Sequence, residues 1–372
     1  MNYLFNLLAL NKIRGLGPVR IRQIISQFED NQIEKILSEV NLSSILSSSF
    51  REEYYQLLKN GLERTIQKEI EFCVNNKIRI IPFWSAEFPH RLKQINDFPI
   101  LIYVKGEPIL NPAKSVAIVG TRKPSPISLQ WLEKFMEEIG DEEIQIISGL
   151  AYGIDIQAHK NALKLRQSTL AVMGHGLDQI YPRQHAKTSS EMIESNGGLL
   201  SEMGTMTNLH PDLFPRRNRI IAALSDAVIV VESKVTGGSM STAQLAHQYN
   251  RDVFAVPTLP NIKSGCNALI KRNTAQLIET GSDFINYMGW NIQTNRTNRM
   301  RSNLFDNSLS QEHRQILEIW ESNNQEHVSF HFDEIYKKSC IKMSRLPQIL
   351  LELELKGIII HTGQKLFQLT SK

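Results

Sequence analysis

Between Phe214 and Ala223 the chain reads Phe-Pro-Arg-Arg-Asn-Arg-Ile-Ile-Ala-Ala, which sets three guanidinium groups and an aromatic ring at the head of an otherwise apolar helix. Guanidinium forks grip phosphate oxygens in pairs, and a ring such as Phe214 stacks on a nucleobase. Pro215 suits a first helical turn, where unpaired N–H groups already attract anions. Ile220, Ile221 and Leu224 recur at helical spacing and are expected in the core. Phe214, Arg216 and Arg219 are then the residues expected to face a ligand, with Arg217 and Asn218 between them. Some of these arginines have an alternative, pairing with buried carboxylates such as Glu202 or Glu232. A buried amphipathic helix with a solvated basic end has the same composition, so the neighbouring loops must decide.

Three further stretches suit anions. In Val119-Gly120-Thr121-Arg122, Gly120 lets backbone approach a ligand, Thr121 offers a hydroxyl and an N–H, and Arg122 adds a fork. Thr236-Gly237-Gly238-Ser239-Met240-Ser241-Thr242 opens a helix with exposed N–H groups at Gly238 and hydroxyls at Ser239 and Thr242. Ser148-Gly149-Leu150-Ala151-Tyr152-Gly153-Ile154-Asp155 repeats the arrangement. Asp155 and His159 share a helical face, but no nucleophile stands beside them, and the pair is expected to brace a loop. None of these runs matches the phosphate loop of nucleotide hydrolases or the full dinucleotide fingerprint, and the common hydrolase and kinase motifs are absent. His327 and His331 stand near Cys340 without a clear fourth ligand, so no metal is expected there.

The elements that must hold these loops follow from the pattern. Ser115–Gly120, Ile144–Gly149, Thr169–Gly174, Gly198–Glu202, Ala227–Glu232 and Asp252–Pro257 are short β-branched runs. Helices fit between them at Ile127–Ile139, Gly153–Leu165, Phe214–Leu224 and Ser239–Tyr249, the signature of an α/β protein with a doubly wound parallel sheet. Such sheets bind ligands at the carboxyl ends of their strands, where these glycines fall. The first hundred residues pattern as short helices, with a Gly15-x-Gly17 turn of the helix-hairpin-helix kind inside them. Residues 291–307 have a linker composition, and three helices with a hairpin turned at Thr362-Gly363 follow, in the order of a winged helix. Glu352 and Glu354 on its candidate recognition helix repel phosphate, which points that helix to packing or protein contact.

Composition narrows the classes. A chain of 372 residues accommodates two or three domains. A formal charge of only +4 places any nucleic-acid affinity in local clusters rather than in the bulk field. Cys73, Cys266 and Cys340 show no paired spacing, so neither disulfide framework nor zinc knuckle is expected. Residues 1–10 lack the basic start and cleavage pattern of a signal peptide, and no apolar run is long enough to span a bilayer, so a soluble cytoplasmic protein without membrane partners is expected.

In this order the segments resemble the DprA/Smf family of DNA-processing proteins. Val119–Arg122, Ser148–Asp155 with Ala158-His159, Gly174-His175-Gly176-Leu177-Asp178 with Tyr181-Pro182, Leu200-Ser201-Glu202, Phe214–Ile221, Gly238–Ala243 and Val253-Phe254-Ala255-Val256-Pro257 carry the match. The resemblance implies an extended Rossmann-like domain at 106–287 after a helical, sterile-alpha-motif or helix-hairpin-helix-like domain at 1–105. A linker at 288–307 and a winged-helix domain at 308–372 complete the chain. It further implies a non-enzymatic, cofactor-free homodimer that binds single-stranded DNA and loads the RecA recombinase during natural transformation. The DNA-binding positions it implies are Gly120, Thr121, Arg122, Phe214, Arg216, Arg217, Asn218, Arg219, Gly238, Ser239 and Thr242. Thr121 stands where the family usually has Ser, Thr258 where it has Gly, and Asn273-Thr274 where it has Gly-Ala; Asn tolerates the left-handed helix end that Gly would supply. A rival reading is a phosphoribohydrolase on a similar sheet, but Gln244 stands where that chemistry needs a carboxylate.

Overall fold

The computed structural model describes residues 2–27, 46–140, 142–205, 207, 209–259, 263–290, 310–321, 330–339, 341–356, 358–363 and 366–369. The chain divides into two compact units, Met1–Trp290 and Asn291–Lys372. In the first unit the strands are β1 (Ile78–Pro82), β2 (Leu101–Gly106), β3 (Lys114–Val119), β4 (Ile144–Ser148), β5 (Thr169–Met173), β6 (Gly198–Ser201), β7 (Ala227–Val230), β8 (Asp252–Ala255) and β9 (Gln276–Leu277). They form one sheet in the order β1-β2-β6-β5-β4-β3-β7-β8-β9. From β6 to β9 all pairings are parallel, and β2 runs antiparallel to both β1 and β6. Strands β3, β4, β5 and β7 are buried along almost their whole length, as a sheet covered on both faces requires.

The chain runs outward from β3 through β4 and β5 to β6, then returns to the other side of β3 to lay down β7 and β8. The strand order therefore reverses between β3 and β7, and the crevice outside their carboxyl ends is the natural ligand position. The Leu213–Leu224 helix makes that return. Its Ile220, Ile221, Ala222, Ala223 and Leu224 are buried in one core with Val119, Val172 and Val230. Each fully buried Ile or Leu contributes roughly 1.5–3 kcal/mol relative to exposure.

The first hundred residues are not wholly helical. Helices at Asn2–Lys12, Pro18–Ile25, Ser48–Lys59 and Leu62–Asn75 are followed by β1 and β2, which extend the sheet past β6. A boundary at residue 105 would cut β2. The helices also share a core with the sheet, since Leu8, Ile21 and Ile66 cluster with Tyr103, Met173 and Leu199. A buried carboxylate fastens the two: Glu69 accepts from the Tyr103 hydroxyl at 2.6 Å and pairs with Lys12 at 2.7 Å. The Gly15-x-Gly17 turn forms as expected, with Gly15 at φ +80° and Pro18 opening the next helix. Asn273 likewise takes φ +53°, the left-handed position foreseen for it, and Asn267 bridges the Thr258 backbone through both N–H and carbonyl.

The second unit carries helices at Gln311–Glu321, Phe332–Ser339 and Leu346–Leu355, and strands β10 (Phe330–His331), β11 (Ile359–Gly363) and β12 (Leu366–Leu369) in the order β10-β12-β11. Thr362 and Gly363 belong to β11 rather than to the turn, and the register shifts between His361 and Gly363. The linker expected at 291–307, together with His327 and Cys340, lies outside the described residues.

At the amino ends of β3 and β7, Asp226 joins three segments. It pairs with Arg91 at 2.6 Å and 2.9 Å and accepts from the Ser115 backbone N–H at 2.9 Å and its hydroxyl at 3.0 Å. Both charged groups are mostly covered, so Asp226→Ala leaves the Arg91 guanidinium without its counter-charge, held only by the Pro112 and Ala113 carbonyls, and the Ser115 N–H without its acceptor, and is expected to cost about 2–4 kcal/mol. Urea denaturation should show a lower midpoint with an unchanged slope.

Candidate nucleic-acid interface

Four loops meet over the crevice. The Gly120–Ser125 loop leaves β3 and is fixed by the end of β7: Thr121 N–H donates to the Glu232 carbonyl at 2.7 Å, and the Glu232 carboxylate accepts from the Ser125 N–H at 2.9 Å and its hydroxyl at 3.0 Å. Partial burial opposes ionisation of Glu232, but the hydrogen bonds from Ser125 and Ser128 outweigh it and hold the carboxyl below its ordinary value. Glu232 thus pairs with serines and not with an arginine. Ser125 also caps the Pro126–Glu138 helix by accepting from the Ser128 N–H. Gly120 is half-buried against Ile154, Thr121 is half-buried, and Arg122 and Lys123 are exposed with no ion pair among the described residues.

Behind this loop stands Gly153, at φ +80°, where a Cβ would lie 2.2 Å from the Thr121 carbonyl oxygen. Only glycine allows that conformation and that approach. The Ile154–Lys164 helix begins there, and its Ile154 N–H donates to the same carbonyl.

The basic segment divides between surface and interior. Arg216 is exposed, and Phe214 is half-buried against Tyr181 with ring centroids 5.9 Å apart. Arg217 and Arg219 are turned inward, at 6 % and 9 % exposure. Arg217 donates through Nη1 to the carbonyls of Gly149 and Val172, at the carboxyl ends of β4 and β5. A Cβ on Gly149 would stand 2.3 Å from that nitrogen, so the glycine makes room for the guanidinium. Asp155 is buried near it. Burial raises the Asp155 carboxyl, opposed by Arg217 and by N–H groups of Ala151 and Gly149, and burial likewise lowers Arg217.

Arg219 pairs with Glu202 and donates to the Asp97 carbonyl at 2.8 Å. Burial raises the Glu202 carboxyl despite Arg219 and Arg216. This corrects the expectation that Arg219 faces a ligand. Arg216 and Arg219 share a helix face, but the 94–98 segment covers the lower turn, and Arg22 in turn holds that segment through the carbonyls of Asn96 and Phe98.

The remaining expected positions fall around the start of the Gly238–Gln248 helix. Gly238 is exposed, whereas Ser239 and Thr242 are buried, and the Ser239 hydroxyl donates to Ser233 at 2.8 Å. Asn218 ties the two helices together, donating to Ser241 at 3.2 Å and to the Gly238 carbonyl at 3.4 Å. The outward set is therefore Gly120, Thr121, Arg122, Phe214, Arg216 and Gly238, while Arg217, Arg219, Ser239 and Thr242 build the scaffold beneath and Asn218 bridges them. Lys123 and Lys234, also exposed at these loops, were not singled out by the sequence pattern. A lysine in a loop carries no spacing signal of its own.

His159 lies wholly buried behind Asp155, with Nδ1 2.7 Å from the Thr169 hydroxyl. That bond ties the Ile154–Lys164 helix to the start of β5, not to the Asp155 loop that the pair is expected to brace. Gln244 is exposed on the Gly238–Gln248 helix, and among the described residues no cluster of three metal-ligating side chains occurs and no helix is long and apolar enough to cross a membrane.

A mostly parallel, Rossmann-like sheet with basic loops at its switch point defines the class of the first unit as α/β. The profile of the family described as DNA recombination-mediator protein A matches residues 79–289, which begins within β1 and ends at the close of the first unit. The chain belongs to that family. It is 34 % identical over 278 residues to the DNA processing protein DprA of Streptococcus pneumoniae, covering 74 % of this chain and 94 % of that protein. It is also 31 % identical to protein Smf of a Synechocystis species, covering 76 % of this chain and 72 % of the relative. The X-ray structure of the pneumococcal protein superposes with a TM-score of 0.64 over 77 % of this chain and 97 % of that one, at 31 % identity. A Helicobacter pylori DprA structure, described as showing a unique single-stranded DNA binding mode, matches with a TM-score of 0.52 over 57 % of this chain and 95 % of that one, at 32 % identity.

Two consequences are measurable. Arg219→Ala leaves the Glu202 carboxylate buried without its partner and is expected to cost about 3–5 kcal/mol, whereas Arg216→Ala on the surface shifts the melting temperature little. Burial, with Arg217 and His185 nearby, pushes the His159 imidazole down to about 3. The unfolded chain takes up that proton near pH 6.5 and the folded chain does not, so His159 favours the fold above pH 6.5 and loses stability as pH falls from there toward 3. Between pH 8 and pH 5 this amounts to about 2 kcal/mol. Denaturation titrations should show the slope, reduced in His159→Gln even where that variant is less stable at both pH values.

Proposed function

We propose that this protein binds single-stranded DNA along the crevice between the ends of β3 and β7, without catalysing a reaction on it. The observation that carries the reading is the juxtaposition of exposed Arg122 and Arg216, without an ion pair among the described residues, with the half-exposed ring of Phe214 at the switch point of the sheet. Guanidinium groups hold phosphates and the ring stacks on a base; neither contact depends on which base is present, so binding is sequence-tolerant. The single-strand binding described for the Helicobacter relative supports the same assignment. Asp155 and His159, the pair closest to catalytic spacing, are committed to buried bonds, and Gln244 offers no carboxylate for glycosidic chemistry.

Membership in the recombination-mediator family extends the proposal to protection of incoming strands and loading of RecA during transformation, by a homodimer. In the second unit, three helices with a three-stranded sheet, whose first strand lies between the first two helices and whose other two follow the third, support a winged-helix assignment. Glu352 there accepts from Gln348 at 3.0 Å on its own helix, and its charge favours packing or protein contact over a DNA groove.

Anisotropy titrations of labelled oligonucleotides across a salt series test the reading. Each lost phosphate contact to a single strand is expected to reduce the magnitude of the slope of log K against log salt by about 0.7, so Arg122→Ala/Arg216→Ala lowers it by about 1.4 and weakens binding for every sequence. Phe214→Ala removes about 1–3 kcal/mol with the slope intact. Unchanged affinity in the double arginine variant sinks the proposal, as does release of a free base from a nucleotide by the purified protein.

A further inference from the structure

Two exposed tyrosines stand on loops that border the crevice. Tyr152 is 40 % exposed and Tyr181 is 46 % exposed. Neither is loosely placed. The Tyr152 ring rests edge-on against His185 at 5.0 Å and 70°, and its hydroxyl donates to Gln184 at 2.9 Å. His185 is itself buried and bonds the Leu150 carbonyl at 2.8 Å, so the platform under Tyr152 is anchored at the end of β4. Tyr181 leans on Phe214 at 5.9 Å and 42°.

Their positions join the two arginines. A Cβ on Gly153 would stand 2.8 Å from the Arg122 Cα, so Tyr152, one residue earlier, begins where the Arg122 turn ends. The Tyr152–Gln184 bond crosses to the Tyr181–His185 segment, Tyr181 reaches Phe214, and Arg216 follows two residues on. The order along the rim is therefore cation, ring, amide, ring, ring, cation. Fixed rings between phosphate-binding groups are what an extended strand with splayed bases requires, because stacking takes any base and ordered rings lose little entropy on binding.

We propose that Tyr152 and Tyr181 form a base-stacking ledge that carries a single DNA strand from Arg122 to Arg216, adding two base contacts to that of Phe214. The inference rests on the single-strand reading above and names the route the strand takes. A rigid pair of stacking rings also restricts the ledge to unpaired bases, since a duplex keeps its base faces covered.

The test compares full-length wild type, Tyr152→Ala, Tyr181→Ala and the Tyr→Phe variant at each position on oligothymidylate and on the same strand with abasic sites throughout its centre. On oligothymidylate each alanine variant is expected to bind about five- to a hundredfold more weakly, while the phenylalanine variants bind like wild type. On the abasic strand, alanine variants and wild type are expected to bind equally. Alanine variants that match wild type on oligothymidylate overturn the ledge, and so does an equal loss on both strands, which would mean that the rings support the fold or meet phosphate. A wild type that ignores base removal overturns it too, and leaves these tyrosines as a surface for a protein partner. Failure of wild type to bind either strand refutes the underlying single-strand reading; wild-type binding with indifferent tyrosine variants refutes only the route.

Discussion

The buried guanidinium of Arg217 is the constraint on which the carboxyl edge of the sheet depends. A charge at that depth is tolerated only when its donors are used, and it uses them on the backbone carbonyls of Gly149 and Val172, next to the Asp155 carboxylate. Those partners terminate β4 and β5 and begin the Ile154–Lys164 helix. The return helix is thereby locked to two strands at the height of the crevice, and Gly149 is small because the guanidinium occupies the space a side chain would take. With Arg217 committed inward, the residues beside it on the helix are aimed: Arg216 toward solvent, Phe214 over Gly174 and against Tyr181.

Arg219 extends the same logic away from the crevice. It joins Glu202, at the end of β6, to the 94–98 segment, and Arg22 holds that segment from the N-terminal helices with its guanidinium over the Phe98 ring at 3.7 Å. Asp97 also accepts from Tyr249. A chain of charged and polar bonds therefore runs from the N-terminal helices to the helix that presents Phe214 and Arg216. Since the same helices share a core with β2 and β5, the first 290 residues behave as one packed unit rather than as a helical domain appended to a sheet.

On the opposite side of the crevice, order comes from one carboxylate. Glu232 spends both its backbone carbonyl and its side chain on the Thr121–Ser125 loop, whose Arg122 and Lys123 side chains remain exposed. The crevice is positive because its internal acids are already paired: Glu202 with Arg219, Asp155 with backbone N–H groups and Arg217, Glu232 with serines. The modest net charge of the chain is thus compatible with a local anion site.

The parallel strands and their helices were legible in the sequence because β-branched runs and a 3.6-residue period report burial directly, and Gly120 and Gly153 marked loop positions because a side chain there would meet Ile154 or the Thr121 carbonyl, whereas Gly238 has open space around it. The antiparallel strands Ile78–Pro82 and Leu101–Gly106 were not, since short runs after a set of helices carry no partner information and β2 finds its neighbour β6 nearly a hundred residues away. Composition put Arg216, Arg217 and Arg219 in one class. Only tertiary structure separated them, because exposure along a helix depends on which segments cover each turn, and the covering carbonyls of Gly149, Val172 and Asp97 lie 45 to 122 residues distant in the chain.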